Sequence, residues 1–161
     1  MLKKQQTIYN FFLKFVLISL LLLKPSLAEI LKPSTEIEPE KVIKIQLTAL
    51  MENDNPYIDR GIVQTWEFAH PNNRKMTGPL ENFKNMIKTD SYSMLLDHSN
   101  HEISEVYMSN KVATFEVTVM DREKKYYKFK WQVEKYNGEG VLKDCWLTSA
   151  VSQPMPIGSS I

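Results

Sequence analysis

The chain has 161 residues, 20 basic and 19 acidic, for a formal net charge of +1, and one cysteine. Charge this evenly balanced excludes nucleic acid as the default partner, because backbone binding needs a net or clustered positive surface. A lone cysteine, Cys145, excludes an internal disulfide, so the fold must hold by packing.

Residues 1–28 open with Lys3 and Lys4 and continue with an apolar run from Phe11 to Leu23 broken only by Lys14 and Ser19. They end in Lys24-Pro25-Ser26-Leu27-Ala28, with small residues at the two selective positions of a cleavage site. The run is short for a spanning helix, which needs ~20 predominantly apolar residues. The expectation is an export signal cut after Ala28, giving a periplasmic or extracellular protein with no stable membrane anchor. Losing a segment with four lysines and no acid leaves 16 basic against 19 acidic residues, a net charge of −3 on about 133 residues, enough for one domain with one core.

Residues 29–38, EILKPSTEIE, lack periodicity and read as a linker. Pro39 and Glu40 then suit a helix N-terminus. At ~100° per residue, Val42, Ile43, Ile45, Leu47, Ala49, Leu50 and Met51 fill one arc of that helix. Gln46 and Asn53 fall inside the apolar arc, where an unpaired amide costs roughly 1–3 kcal/mol. They must find partners in the protein or face a cavity. A second helix is expected from Asn55 as cap and Pro56 as first residue, with Ile58, Ile62, Trp66 and Ala69 as its stripe. Pro71 should end it. A third helix should begin at Thr77-Gly78-Pro79 and bury Leu80, Phe83 and Ile87.

After Asp90 the period changes to two. SYSMLL and HEISEVYM are candidate strands, KVATFEVTVM and KKYYKFKWQVEK strong ones, and CWLTSAVS the last, while residues 153–161 read as a flexible tail. Asp121-Arg122-Glu123 as a three-residue turn pairs Met120 with Lys124, Glu116 with Lys128 and Val117 with Tyr127, which puts both apolar faces on one side. Three helices followed by such a sheet, over residues 39–152, define an α+β domain in which the helices cover the apolar face.

The runs VIKIQLTALMEND, DRGI, FAHPNNRKMTGPLENFKNMI and DCWLTSAV resemble the family called domain of unknown function 4864. That family looks like part of the nuclear transport factor 2-like (cystatin-like) group, a cone made of a curved antiparallel sheet closed by helices. The resemblance implies a pocket between helices and sheet. It carries no reaction and no cofactor.

Each candidate chemistry has a plainer alternative. Asp97-His98-Ser99-Asn100-His101-Glu102 is rich in metal-ligand types, but two histidines three apart should diverge on a strand or turn, so no metal is expected. REKKYYKFKW interleaves cations and aromatics, yet alternation separates Lys128 and Lys130 from Phe129 and Trp131. Cys145, without a basic neighbour, reads as a small buried hydrophobe. The loop at 70–78 could hold an anion with Asn73, Arg74 and Thr77, or could use them for capping and internal hydrogen bonds, Arg74 pairing with Glu67, Asp59 or backbone carbonyls. Candidate ligand-binding residues are thus Gln46, Asn53, Asn73, Arg74 and Thr77, with Trp66 and Trp131 on the apolar faces. Catalysis would need a carboxylate or histidine in the cavity, for which Asp97, His98 and Tyr92, at the helix-to-sheet transition, are the candidates. A domain that binds a small molecule or protein partner in its cone leads, with a hydrolase or isomerase in the same cavity and a structural interaction module as alternatives. A homodimer through the sheet is one arrangement for a protein partner.

Overall fold

The computed structural model describes residues 29–89 and 91–159, so the expected export signal lies outside the described residues. Among the described residues four helices precede a curved, five-stranded antiparallel sheet, the α+β arrangement in the expected order. The helices are α1 Pro39–Met51, α2 Arg60–Glu67, α3 Pro71–Thr77 and α4 Leu80–Ile87. A 3-10 turn at Ser93–Leu95 leads to the strands β1 Asn100–Met108, β2 Val112–Met120, β3 Lys125–Lys135, β4 Trp146–Val151 and β5 Met155–Ser159.

α1 buries Val42, Ile43, Leu47, Ala49 and Leu50 on the arc expected for it. These pack on the inward residues of the sheet, Phe115, Val117 and Val119 from β2 and Phe129, Trp131 and Val133 from β3. Phe83 and Ile87 bring α4 onto the same core. Cys145 is buried just ahead of β4, where burial, aided by Asp144, pushes its thiol pKa up. Among the described residues no helix is long and apolar enough to cross a membrane.

Five features differ from the reading of the sequence. First, α2 starts at Arg60, not at Pro56. The carboxylate of Asp54 accepts the Asp59 backbone N–H at 2.9 Å, Asp59 takes a left-handed backbone at the cap position, and Ile58 is left exposed. Second, Pro71 opens a helix instead of ending one, which makes four helices among the described residues. Its missing N–H and fixed φ suit the first helical position, and His70 supplies the cap. Third, SYSMLL is not a strand but holds the 3-10 turn, with Leu95 pointing into the core.

Fourth, the β2–β3 register is two residues from that expected: Met120 pairs with Tyr126 and Val117 with Phe129. The carboxylate of Asp121 accepts from the backbone of both Glu123 and Lys125, which moves the three-residue loop on by one to Arg122–Lys124, with Lys124 left-handed. A shift of two keeps every side chain on its face. Glu116 now faces Lys130 in register, but its carboxylate still meets the ammonium of Lys128 at 2.7 Å. Fifth, the tail is a strand. β4 pairs with the C-terminal part of β3 and leaves Lys125–Lys128 free, and β5 takes that edge, where Pro156 is tolerated. The linker is likewise docked: the Gln64 side chain exchanges two hydrogen bonds with the backbone of Leu31, and Lys32 pairs with Glu67.

Candidate functional site

A cavity of about 540 Å³ lies between α1, α2, α3 and α4, the turn at 93–95 and the inner face of β3 and β4. Its walls are Leu50, Ala69, Phe83, Met86, Ile87, Leu95, Trp131 and Val151, with Met76 and Ala150 exposed at the mouth. Polar atoms come from Gln46, Thr65, Asn73, Thr77, Tyr92, Thr148 and Ser149. Among the described residues no aspartate, glutamate, lysine, arginine or histidine lines it.

Its deep wall is a chain of hydrogen bonds whose polarity is fixed by elimination. The indole Nε1 of Trp131 can only donate, and it does so to Thr148 Oγ1 at 3.2 Å. The Thr148 hydroxyl therefore gives its own hydrogen to Gln46 Oε1, at 2.6 Å. That orients the amide, so Gln46 Nε2 donates to the carbonyl of Thr65 at 3.0 Å. Thr65 Oγ1 in turn donates to the Gly61 carbonyl. Gln46 is only 1 % exposed, and one of its two amide hydrogens has no partner among the described residues. At the mouth, Tyr92 accepts from Gln153 Nε2 at 3.3 Å, its phenol proton has no partner among the described residues, and burial raises its pKa.

The stretch at 70–78 carries one rim of this cavity. His70 Nδ1 accepts from the backbone N–H of Asn72, which fixes that nitrogen as an acceptor, and burial lowers the ring's pKa despite Glu134 nearby. Asn73 reaches across to the Thr148 carbonyl. Thr77 does not cap α4: its hydroxyl donates back to Asn73, four residues earlier, and Pro79 stands at the cap position. Gly78 closes α3 at φ 81°. Arg74 donates to the carbonyls of Trp66, Ala69 and Glu67 at 2.7, 3.0 and 2.8 Å, and its guanidinium lies over the Trp66 ring. Desolvation lowers its pKa, with Glu67 opposing. Of the pairings considered for Arg74, the carbonyls hold it; the Glu67 carboxylate goes to Lys32 and Asp59 to Lys88. With Nε and Nη2 of Arg74 committed to these carbonyls, this stretch has the geometry of a brace.

The cavity thus gathers Gln46, Asn73, Thr77, Trp131 and Tyr92 from among the residues singled out in the sequence, and leaves the others outside. Asn53 joins α1 to α2, accepting from the Ile62 backbone and donating to Asp54. Trp66 packs on Phe83. Asp97 is tied to Arg122 on the surface. His98 is buried against His101, and the two rings do not diverge as their spacing suggested: Nε2 and Nδ1 stand 2.7 Å apart. Among the described residues no group of three or more histidine, cysteine or acidic side chains could hold a metal. Sequence reasoning missed Thr65 and Thr148. A threonine in a helix or strand carries no mark of a partner 102 positions away.

A family model described as Domain of unknown function (DUF4864) matches residues 33–152. No curated protein and no solved structure matches the chain.

Proposed function

The chain belongs to the DUF4864 family, a domain of unknown function, and from its geometry we propose that it binds a neutral, largely apolar small molecule in the cavity. The observation that carries this is the uncharged lining among the described residues. A volume of about 540 Å³ is in the range of small-molecule sites, which are apolar with a few placed polar groups. Burying a charged ligand there would leave its charge unpaired, at a cost of several kcal/mol. A ligand oxygen, carbonyl or hydroxyl, can accept the spare hydrogen of Gln46, while the apolar body lies on Trp131, Phe83 and Ile87. The same lining weakens the hydrolase and isomerase alternative, since among the described residues Tyr92 is its one titratable side chain and a raised pKa makes it a poor base at neutral pH.

The test is a comparison of thermal shifts with a medium-chain alcohol, the matching methyl ketone and the carboxylic acid of the same chain length at neutral pH. The two neutral compounds should raise the melting temperature, since a ligand at 100 times its Kd adds about 2.7 kcal/mol. Equal or greater stabilisation by the carboxylate would refute the reading.

Export belongs to the same proposal and rests on the charge and apolar pattern of residues 1–28. Intact-mass measurement of protein from its own host should find Glu29 as the first residue. Recovery with Met1 in the membrane fraction would overturn it.

A further inference from the structure

His98 is 2 % exposed and takes no part in the cavity lining, yet it ties one cavity wall to the sheet. Its Nδ1 lies 2.8 Å from the carbonyl of Leu95, and its Nε2 2.7 Å from Nδ1 of His101 on β1. A carbonyl can only accept, so His98 Nδ1 carries a hydrogen. In the neutral ring Nε2 is then a lone pair, and His101 must present Nδ1–H to it. The protons of both rings are set by one backbone carbonyl, and the free lone pair of the pair is His101 Nε2.

One proton can be added there without disturbing either bond. A second has to go to His98 Nε2, which would set two N–H groups against each other at 2.7 Å. The docked pair therefore holds one added proton and the separated pair two. Leu95 lines the cavity, and so does Tyr92 at the start of the same turn. The adjoining Asp97 N–H donates to the Leu50 carbonyl of α1 at 2.8 Å, so the turn bridges helix and sheet.

We propose that His98 and His101 form a proton-operated latch on the cavity: uptake of the second proton separates the rings, frees the Ser93–Leu95 turn and weakens ligand binding. The inference rests on the cavity being the binding site, and it concerns how that site is regulated. The charged groups around the pair act in both directions. Lys44 of α1 opposes protonation of His101, while Asp97 favours it at His98, although Asp97 is itself paired with Arg122 from the β2–β3 turn. The opposed residue on β2, Val119, carries no charge. Burial outweighs the rest. It pushes His98 down from 6.5 to about 4 and lowers His101. Both pKa values are depressed in the fold, so the stability they confer is complete above the unfolded value of 6.5 and is lost as pH falls toward about 4.

The test uses the protein and its His101→Gln variant, with Nile red as a neutral apolar probe. Glutamine can donate to a neutral His98 and, by turning its amide, accept from a protonated one, so it keeps the contact without the conflict. From about pH 7 to about pH 3, one unit below the value for His98, wild type should lose roughly tenfold in probe affinity and His101→Gln less than about twofold. In the absence of probe the protection factor of the Asp97 amide, its exchange rate corrected for the intrinsic pH dependence, should fall over the same range in wild type alone. A pH-independent protection factor at Asp97, or parallel losses in the two proteins, would overturn the latch. If Nile red binds at neither pH while the Asp97 amide behaves as stated, the binding reading fails and the latch stands as a device of the fold. Should His101→Gln not fold, imidazole nitrogen NMR of wild type decides: both rings protonated at Nδ1 near pH 7 supports the latch, and His98 protonated at Nε2 contradicts it.

Discussion

Gly61→Ala should cost the protein a large part of its stability. Gly61 lies where α2 crosses α1, and a methyl group added there would stand 2.1 Å from the Ala49 carbonyl oxygen and 2.9 Å from Asn53 Cα. The obstruction is backbone, so no side chain can swing away. To make room the helices must part, and that breaks the bond from Gly61 N–H to the Asn53 carbonyl and from Ile62 N–H to the Asn53 side chain, and strains Gln46 on Thr65. Overpacking costs typically 1–3 kcal/mol on its own. With the buried hydrogen bonds lost as well, we expect roughly 4–6 kcal/mol, against a total stability of about 5–15 kcal/mol. Urea unfolding followed by circular dichroism would measure it; a midpoint within about 0.5 M of wild type would show that the helices do not meet as described.

Gln46→Leu should cost about 3 kcal/mol, although leucine is the more apolar residue and the site is buried. The substitution strips the Thr148 hydroxyl of its acceptor and the Thr65 carbonyl of its donor, and each group left unsatisfied costs about 1–3 kcal/mol. Thr148→Val removes one of those stranded groups, so the double variant should lose less than the sum of the two single losses, by about 1 kcal/mol or more. Additive losses would mean that Thr148 and Gln46 do not share a bond. A cost below about 1 kcal/mol for Gln46→Leu would mean that the amide is not essential to the wall.

These two positions show unequally what could be read in the chain. Gln46 announced itself, as an amide inside an apolar arc with helical period, and the same periodicity placed the buried faces of α1 and α4. Alternation placed the inner faces of β2 and β3 even though the register was off by two, because a shift of two preserves the face. Gly61 gave no signal, since close approach of two backbones depends on where the helices cross. α3 was hidden because Pro71, His70 and two asparagines are equally the residues of a loop; only the acceptor nitrogen of His70 and the carbonyls that hold Arg74 decide for a helix. β5 was hidden because its pairing requires β4 to stop short.

For the site, the limit was distance along the chain. The resemblance implied a pocket between helices and sheet, and the cavity lies there, but its polar wall joins α1, α2, β3 and β4 through Gln46, Thr65, Trp131 and Thr148. Position near the helix-to-sheet transition suggested Asp97, His98 and Tyr92 together. The turn at 93–95 sends Tyr92 to the cavity, Asp97 to the surface and His98 to its own enclosed pair.

Binding of a neutral molecule in the cavity is tested most directly by NMR titration with a medium-chain methyl ketone, following the Gln46 side-chain amide and the Trp131 indole N–H. Saturable shifts at both, with the larger at the unpartnered Gln46 hydrogen, are expected in wild type and should vanish in Val151→Trp, whose indole would occupy the cavity. Shifts confined to other surfaces, or a Val151→Trp variant that titrates like wild type, would contradict it.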